Sequence, residues 1–303
     1  NYDVTGEFSS SEIKKVKFIE FTSNEKDLTK TNIFFITVPT PINKKKQPDL
    51  KNLIHATKLV ARNLKKKSIV IYESTVFPGC TEEVCLPIIE KISKFKINKD
   101  FSLAYSPERI NPGRSKYKLR NTVKVIGASN KHSLKIINKI YQKICLKTHL
   151  TDSIRIAEAA KIIENTQRDL NIAFVNELSI IFKKMNIDID KVLKAASTKW
   201  NFIKFKPGLV GGHCIGVDPY YLTYRSNQLK YDPKVILSGR KINDSMGFYV
   251  AKKMMNFFKK KKKKIIKSKI LVMGAAFKEN CSDIRNSRIF DTINYLNKNG
   301  ANV

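Results

Sequence analysis

One run of the chain combines a thiol, two glycines and a carboxylate: Gly211-Gly212-His213-Cys214-Ile215-Gly216-Val217-Asp218-Pro219-Tyr220-Tyr221. Glycines ahead of a thiol let the backbone, and anything lying on it, come close to the sulfur. A carboxylate four residues on can orient the thiol, a water or a nearby lysine. That is the layout of a nucleophilic cysteine. A glycine-rich turn around a buried structural Cys is the plain alternative. Lys161 and Asn165, four apart, share one face of a helical segment. Taken alone they also read as an exposed lysine beside a surface asparagine. Asp218, directly before Pro219, equally suits a helix N-cap.

The elements that must position these residues follow from periodicity. Short apolar runs at 33–38, 68–72, 101–105 and 122–126 alternate with helical patterns near 49–66, 81–93 and 131–145. Continuous apolar strands separated by helices predict a largely parallel sheet covered on both faces. Ligands bind such sheets beyond the carboxyl ends of the strands. Polar stretches sit there: Val38-Pro39-Thr40-Pro41, Glu73-Ser74-Thr75-Val76 and Ser106-Pro107-Glu108-Arg109. Residues 153–185 hold neither Gly nor Pro and predict one helix of roughly 50 Å, suited to linking domains or forming a dimer. Helices near 188–197 and 233–260 follow. A strand at 269–274 and a helix near 287–299 open a further α/β unit.

Composition excludes several classes. With 303 residues the chain has room for two or three domains. Cys80, Cys85, Cys145, Cys214 and Cys281 form no paired framework and no CxxC motif, which fits a reducing cytoplasm. There is no long apolar stretch for a membrane. His55, His132, His149 and His213 lack ligand spacing, so no metal site is expected. The net charge of +32 is spread along the chain rather than gathered on one stripe with aromatics. It suits attraction of anionic ligands better than nucleic-acid binding. The lysine run 259–264 reads as a solvated helix end.

Six segments, in order, carry a resemblance. They are Thr37-Val38-Pro39-Thr40-Pro41, Tyr72-Glu73-Ser74-Thr75-Val76, Ser106-Pro107-Glu108-Arg109-Ile110-Asn111-Pro112-Gly113, Ala157-Glu158-Ala159-Ala160-Lys161-Ile162-Ile163-Glu164-Asn165-Thr166, the Cys214 run, and Ala276-Phe277-Lys278-Glu279-Asn280. Together they resemble the UDP-glucose/GDP-mannose dehydrogenase family, most closely its bacterial UDP-N-acetylhexosamine branch of surface-polysaccharide pathways. The resemblance implies an α/β chain of three parts. These are a Rossmann-like NAD-binding domain over 1–152, a central helical dimerisation and catalytic domain over 153–262, and the start of a UDP-binding domain over 263–303. No GxGxxG occurs in the sequence, although the family's first strand-turn-helix carries one. The expectation is therefore a chain truncated at both ends.

The family reaction takes a primary alcohol to a carboxylate with two NAD and one water. The resemblance implies that Cys214 is the nucleophile that holds the aldehyde, passing through a thiohemiacetal and a thioester. Lys161 and Asn165 would stabilise oxyanions. Asp218 would pair with Lys161 or hold a water, and Glu108 would activate the hydrolytic water unless it is a turn acid paired with Arg109. Thr75 would orient a water or touch the nicotinamide. The cofactor would meet Val38, Pro39, Thr40, Ser74, Thr75 and Arg285. The UDP-sugar would meet Glu108, Arg109, Lys161, Asn165, Phe202, Lys204, Phe205, Gly211, Gly212, Phe277 and Lys278. Some members carry a second glutamate four residues after Glu108. Pro112 stands there here, as in the acetamido-sugar branch. Other readings stay open: a truncated homologue that only binds a sugar nucleotide, a two-electron hydroxyacid-type dehydrogenase, and a basic nucleic-acid binder. The Cys214 run separates the second, because a single oxidation needs no covalent thiol. The expected partners are a UDP-N-acetylhexosamine and a second copy in a homodimer, with neither nucleic acid nor membrane.

Overall fold

The computed structural model describes residues 8–110, 119–212, 215–277, 279 and 283–303. They fall into two compact units. The first holds residues up to Pro39, Lys51–Ser74 and Gly79–Ala157; the second holds Thr40–Leu50, Thr75–Pro78 and Glu158–Val303.

A short helix α1 (Ser10–Lys15) opens the first unit under a Ser9/Glu12 capping box. Then come β1 (Ile33–Ile36), α2 (Lys51–Arg62), β2 (Ser68–Tyr72), a π-type turn over Thr81–Cys85 and α3 (Leu86–Ser93). They are followed by β3 (Phe101–Tyr105), β4 (Lys124–Ala128), α4 (Lys131–Gln142) and β5 (Thr148–Leu150). The strands lie in the order β1-β2-β3-β4-β5, parallel except where β4 runs against β3. Helices cover both faces, as alternation along β2 requires. Ile69 and Ile71 pack with Ile126, Ile137 and Tyr141 on the α4 side. On the other side the Tyr72 hydroxyl meets Thr57 of α2 at 2.9 Å.

Helix α5 (Ile154–Lys184) begins in the first unit and continues into the second. Its 31 residues span about 46 Å. After it come α6 (Ile189–Ala196), α7 (Asp218–Gln228), α8 (Lys234–Lys260) and α9 (Ile289–Lys298). The strand expected at 269–274 does not form. Lys269 makes a single parallel bridge to Asn302, and Leu271 and Met273 stay 84% and 89% exposed. A strand needs a paired neighbour, and here pairing is limited to that point. Among the described residues no helix is long and apolar enough to cross a membrane, and no cluster of metal-ligating side chains occurs.

Candidate active site

In the first unit the polar stretches follow the carboxyl ends of β1, β2 and β3. The Ser74 hydroxyl donates to the Val38 carbonyl at 2.6 Å, which ties two strand ends together. Pro39 is exposed, and its carbonyl accepts from Asn52 at 3.3 Å. Glu73 is neutralised from below. Lys124, fully buried in β4, reaches its carboxylate at 3.1 Å, and the Tyr141 hydroxyl donates to the same oxygen. Burial, and then the Glu73 charge, push the Tyr141 hydroxyl far above its ordinary range. The ends of β1 and β2 thus present small hydroxyls and backbone, with the Glu73 charge paired beneath them. That donor set fits the ribose and amide end of a dinucleotide better than its phosphates. Glu108 is exposed, with its carboxylate accepting from the Ile110 N–H at 2.5 Å, while Arg109 donates to the Val123 carbonyl at 2.6 Å.

The second unit brings three of the expected residues together. Lys161 and Asn165 face inward from α5, each 7% exposed, and Asp218 at the start of α7 is 1% exposed. Asn165 Nδ2 donates to Asp218 Oδ2 at 2.6 Å, and Lys161 Nζ lies 4.0 Å from the same oxygen. Asp218 is not an N-cap. Val217 holds that position without a side-chain cap, and the Asp218 carboxylate is directed at α5 instead. Burial pushes this carboxyl up to about 6, against the opposing pull of Lys161 and Asn165. The result is a buried cation, an amide donor and a carboxylate poised near neutrality, the equipment for stabilising an oxyanion and exchanging a proton.

The loop before Cys214 needs its glycines. Gly212 has φ +85°, and a Cβ there would stand 2.8 Å from the Phe277 ring. A Cβ on Gly211 would lie 2.9 Å from the Asn286 carbonyl oxygen. Upstream, Phe202 and Phe205 are half-buried and Lys204 exposed. Asn176 holds Gly208 through two hydrogen bonds of 2.8 and 3.0 Å. Thr40 donates to the Thr75 carbonyl at 2.7 Å, and its own carbonyl accepts from the Tyr221 hydroxyl at 2.7 Å. The Arg285 guanidinium meets Asp283 at 2.6 Å. Cys214 and Lys278 lie outside the described residues.

Sequence reasoning missed Arg240, Asn243 and Asp244 on α8. Arg240, 1% exposed, pairs with Asp169 of α5 at 2.6 Å and also with Asp244. Asn243 Nδ2 donates to Asp169 at 2.7 Å, and Asn176 Nδ2 donates to the Asn243 side-chain oxygen at 2.8 Å. The signal was present. Arg240, Asn243, Asp244, Gly247 and Ala251 recur at spacings of three and four, a polar and small-residue stripe on one helix face.

Models of the UDP-glucose/GDP-mannose dehydrogenase family match along the chain, the NAD binding domain over residues 8–145, the central domain over 155–245 and the UDP binding domain over 271–303. The chain belongs to this family. It is 50% identical to a UDP-N-acetyl-D-glucosamine 6-dehydrogenase of Salmonella typhi, over 99% of this chain and 71% of that protein. It is also 50% identical to one of Pseudomonas aeruginosa, over 97% and 70%. A solved UDP-D-ManNAc dehydrogenase of Pyrococcus horikoshii superposes with a TM-score of 0.86 at 31% identity, covering 93% of this chain and 66% of that one. The chain thus spans about two thirds of the solved relative and 70–71% of the two 6-dehydrogenases. Its first domain is of the NAD-binding, Rossmann-like type, and the family is one of oxidoreductases.

Proposed function

We propose that the protein carrying this chain oxidises C6 of a UDP-N-acetylhexosamine from alcohol to carboxylate. It does so as a cytoplasmic homodimer that feeds surface-polysaccharide synthesis. The observation that carries the reading is the buried Lys161–Asn165–Asp218 cluster, with Asp218 four residues after Cys214 in the chain.

Bound NAD supplies the hydride acceptor, twice per sugar; the strand ends at Val38, Pro39, Thr40, Ser74 and Thr75, with Arg285, are the residues that would hold it. Asp218, with its carboxyl near 6, exchanges the proton of the C6 hydroxyl with Lys161 or a water. The Cys214 thiolate adds to the aldehyde carbon and forms a C–S bond. Lys161 Nζ and the Asn165 amide stabilise the resulting oxyanion. Once the carbon is at the carboxyl level, water attacks the thioester and gives its proton to Glu108. The C–S bond then breaks and returns the thiolate. Phe202, Lys204, Phe205, Phe277 and Lys278 hold the UDP.

The test is the amount of NADH formed per molecule of UDP-N-acetylglucosamine or UDP-N-acetylgalactosamine by the full-length protein and its Cys214→Ser variant. Two per sugar, lost in Cys214→Ser, supports the four-electron cysteine route. One per sugar, or an unimpaired Cys214→Ser variant, overturns it.

A further inference from the structure

A single carboxylate joins four segments of the second unit. Asp244 of α8 accepts from Lys46 Nζ at 2.7 Å, Tyr220 Oη at 2.9 Å and Arg288 Nη2 at 2.5 Å, and also from Arg240 Nη2. Its side chain is only 17% exposed. Burial raises its carboxyl, but Arg240, Lys46 and Arg288 outweigh that and hold it below its ordinary value. It is therefore a fixed negative charge.

The Arg288 end has a definite seat. Gly247, three residues beyond Asp244, admits the backbone so closely that a Cβ would lie 2.6 Å from the Arg288 carbonyl oxygen. The Thr292 hydroxyl donates to the Gly247 carbonyl at 2.8 Å, and Arg288 Nη1 also meets Asp291 at 3.1 Å. The same short stretch then lies on the glycine loop. The Gly212 N–H donates to the Arg285 carbonyl at 3.1 Å, and Asn286 Nδ2 donates to the Gly212 carbonyl at 3.3 Å. A Cβ on Gly211 would come 3.0 Å from Ser287 Cα. Residues 284–287 form a tight turn closed by the Ser287 N–H on the Ile284 carbonyl, which joins Arg288 by a short stretch to the backbone that meets Gly212.

We propose that Asp244 and Arg288 are positioning residues: their ion pair seats the 285–288 turn on Gly211 and Gly212 and so fixes the backbone directly ahead of Cys214. The catalytic consequence rests on the function proposed above; the seating does not. Among the described residues no hydrogen bond or ion pair joins either side chain to Lys161, Asn165 or Asp218, so their effect is on backbone placement and not on the chemistry of that cluster.

The test is hydrogen exchange by mass spectrometry on the full-length protein, together with steady-state kinetics. The variants are Arg288→Met, Arg288→Lys, Asp244→Asn and the double Asp244→Asn/Arg288→Met. Arg288→Met is expected to speed exchange of the Gly212 amide about tenfold or more, while β2 and β3 amides are unchanged. Arg288→Lys should keep most of the protection. The double variant should exchange no faster than the quicker single, because the Asp244–Arg288 pair is already absent from each single variant. With activity present, kcat/KM for the UDP-sugar should fall about tenfold in Arg288→Met, with KM for NAD within about twofold. Unchanged Gly212 exchange in Arg288→Met, or an equal loosening of the sheet amides, overturns the proposal. The expected exchange pattern in a protein that oxidises no UDP-sugar upholds the seating and overturns the proposed function.

Discussion

Asp218 makes a quantitative claim about pH. Its carboxylate is 1% exposed, and the nearest cation, Lys161 Nζ, stands 4.0 Å away, beyond direct hydrogen-bond contact. Burial therefore outweighs attraction, and the carboxyl rises from 3.8 to about 6. A carboxyl raised on folding binds its proton more tightly in the native state, so this group favours folding as pH falls. The gain starts as pH drops through about 6 and is complete below the unfolded value of 3.8. A shift of roughly two units corresponds to about 3 kcal/mol in total. Integrated between pH 7.5 and pH 5, it gives about 1.4 kcal/mol. Asp218→Asn cannot titrate, and the other titrating groups cancel when the two proteins are compared. Urea unfolding at both pH values should show the wild type gaining about 1.4 kcal/mol more than Asp218→Asn on going to pH 5. An equal pH dependence would refute the argument. So would a wild type that loses stability relative to the variant toward pH 5, because that would mean Lys161 and Asn165 hold the carboxylate ionised.

Arg240→Met should lower unfolding stability by about 3–5 kcal/mol, because it leaves the fully buried Asp169 without its cation; a loss below about 1 kcal/mol in urea denaturation would contradict the burial seen here. Gly212→Ala must strain a φ of +85° and displace Phe277. The expected result is a stability loss of about 1–3 kcal/mol, with kcat/KM falling at least about tenfold; unchanged kinetics would show that the loop tolerates a side chain.

Much of the frame was legible because periodicity is a local property. The strands near 33–36, 68–72 and 101–105 stand where unbroken apolar runs placed them, and α5 fills the long stretch free of Gly and Pro. The four-residue spacing of Lys161 and Asn165 by itself puts them on one helix face. The extent of helix α7, the 148–150 strand and the antiparallel β3–β4 pairing were not foreseen; the last depends on where a crossover chain returns, which local pattern does not encode.

The polar interior required the tertiary structure. Lys124 reads as a surface lysine in a strand, yet Glu73, 51 residues earlier, makes its burial tolerable. Asp218 reads equally as a cap or a site residue, and only Asn165, 53 residues away, takes it off the helix end. Arg240 and Asp169 are 71 apart. Sequence by itself determined most of the elements, the family motifs and which side chains share a face, because hydrophobic period and local backbone preference act over a few residues. Tertiary structure decided which charges are buried and paired, because the cost of desolvating a charge is set by partners that arrive from distant parts of the chain.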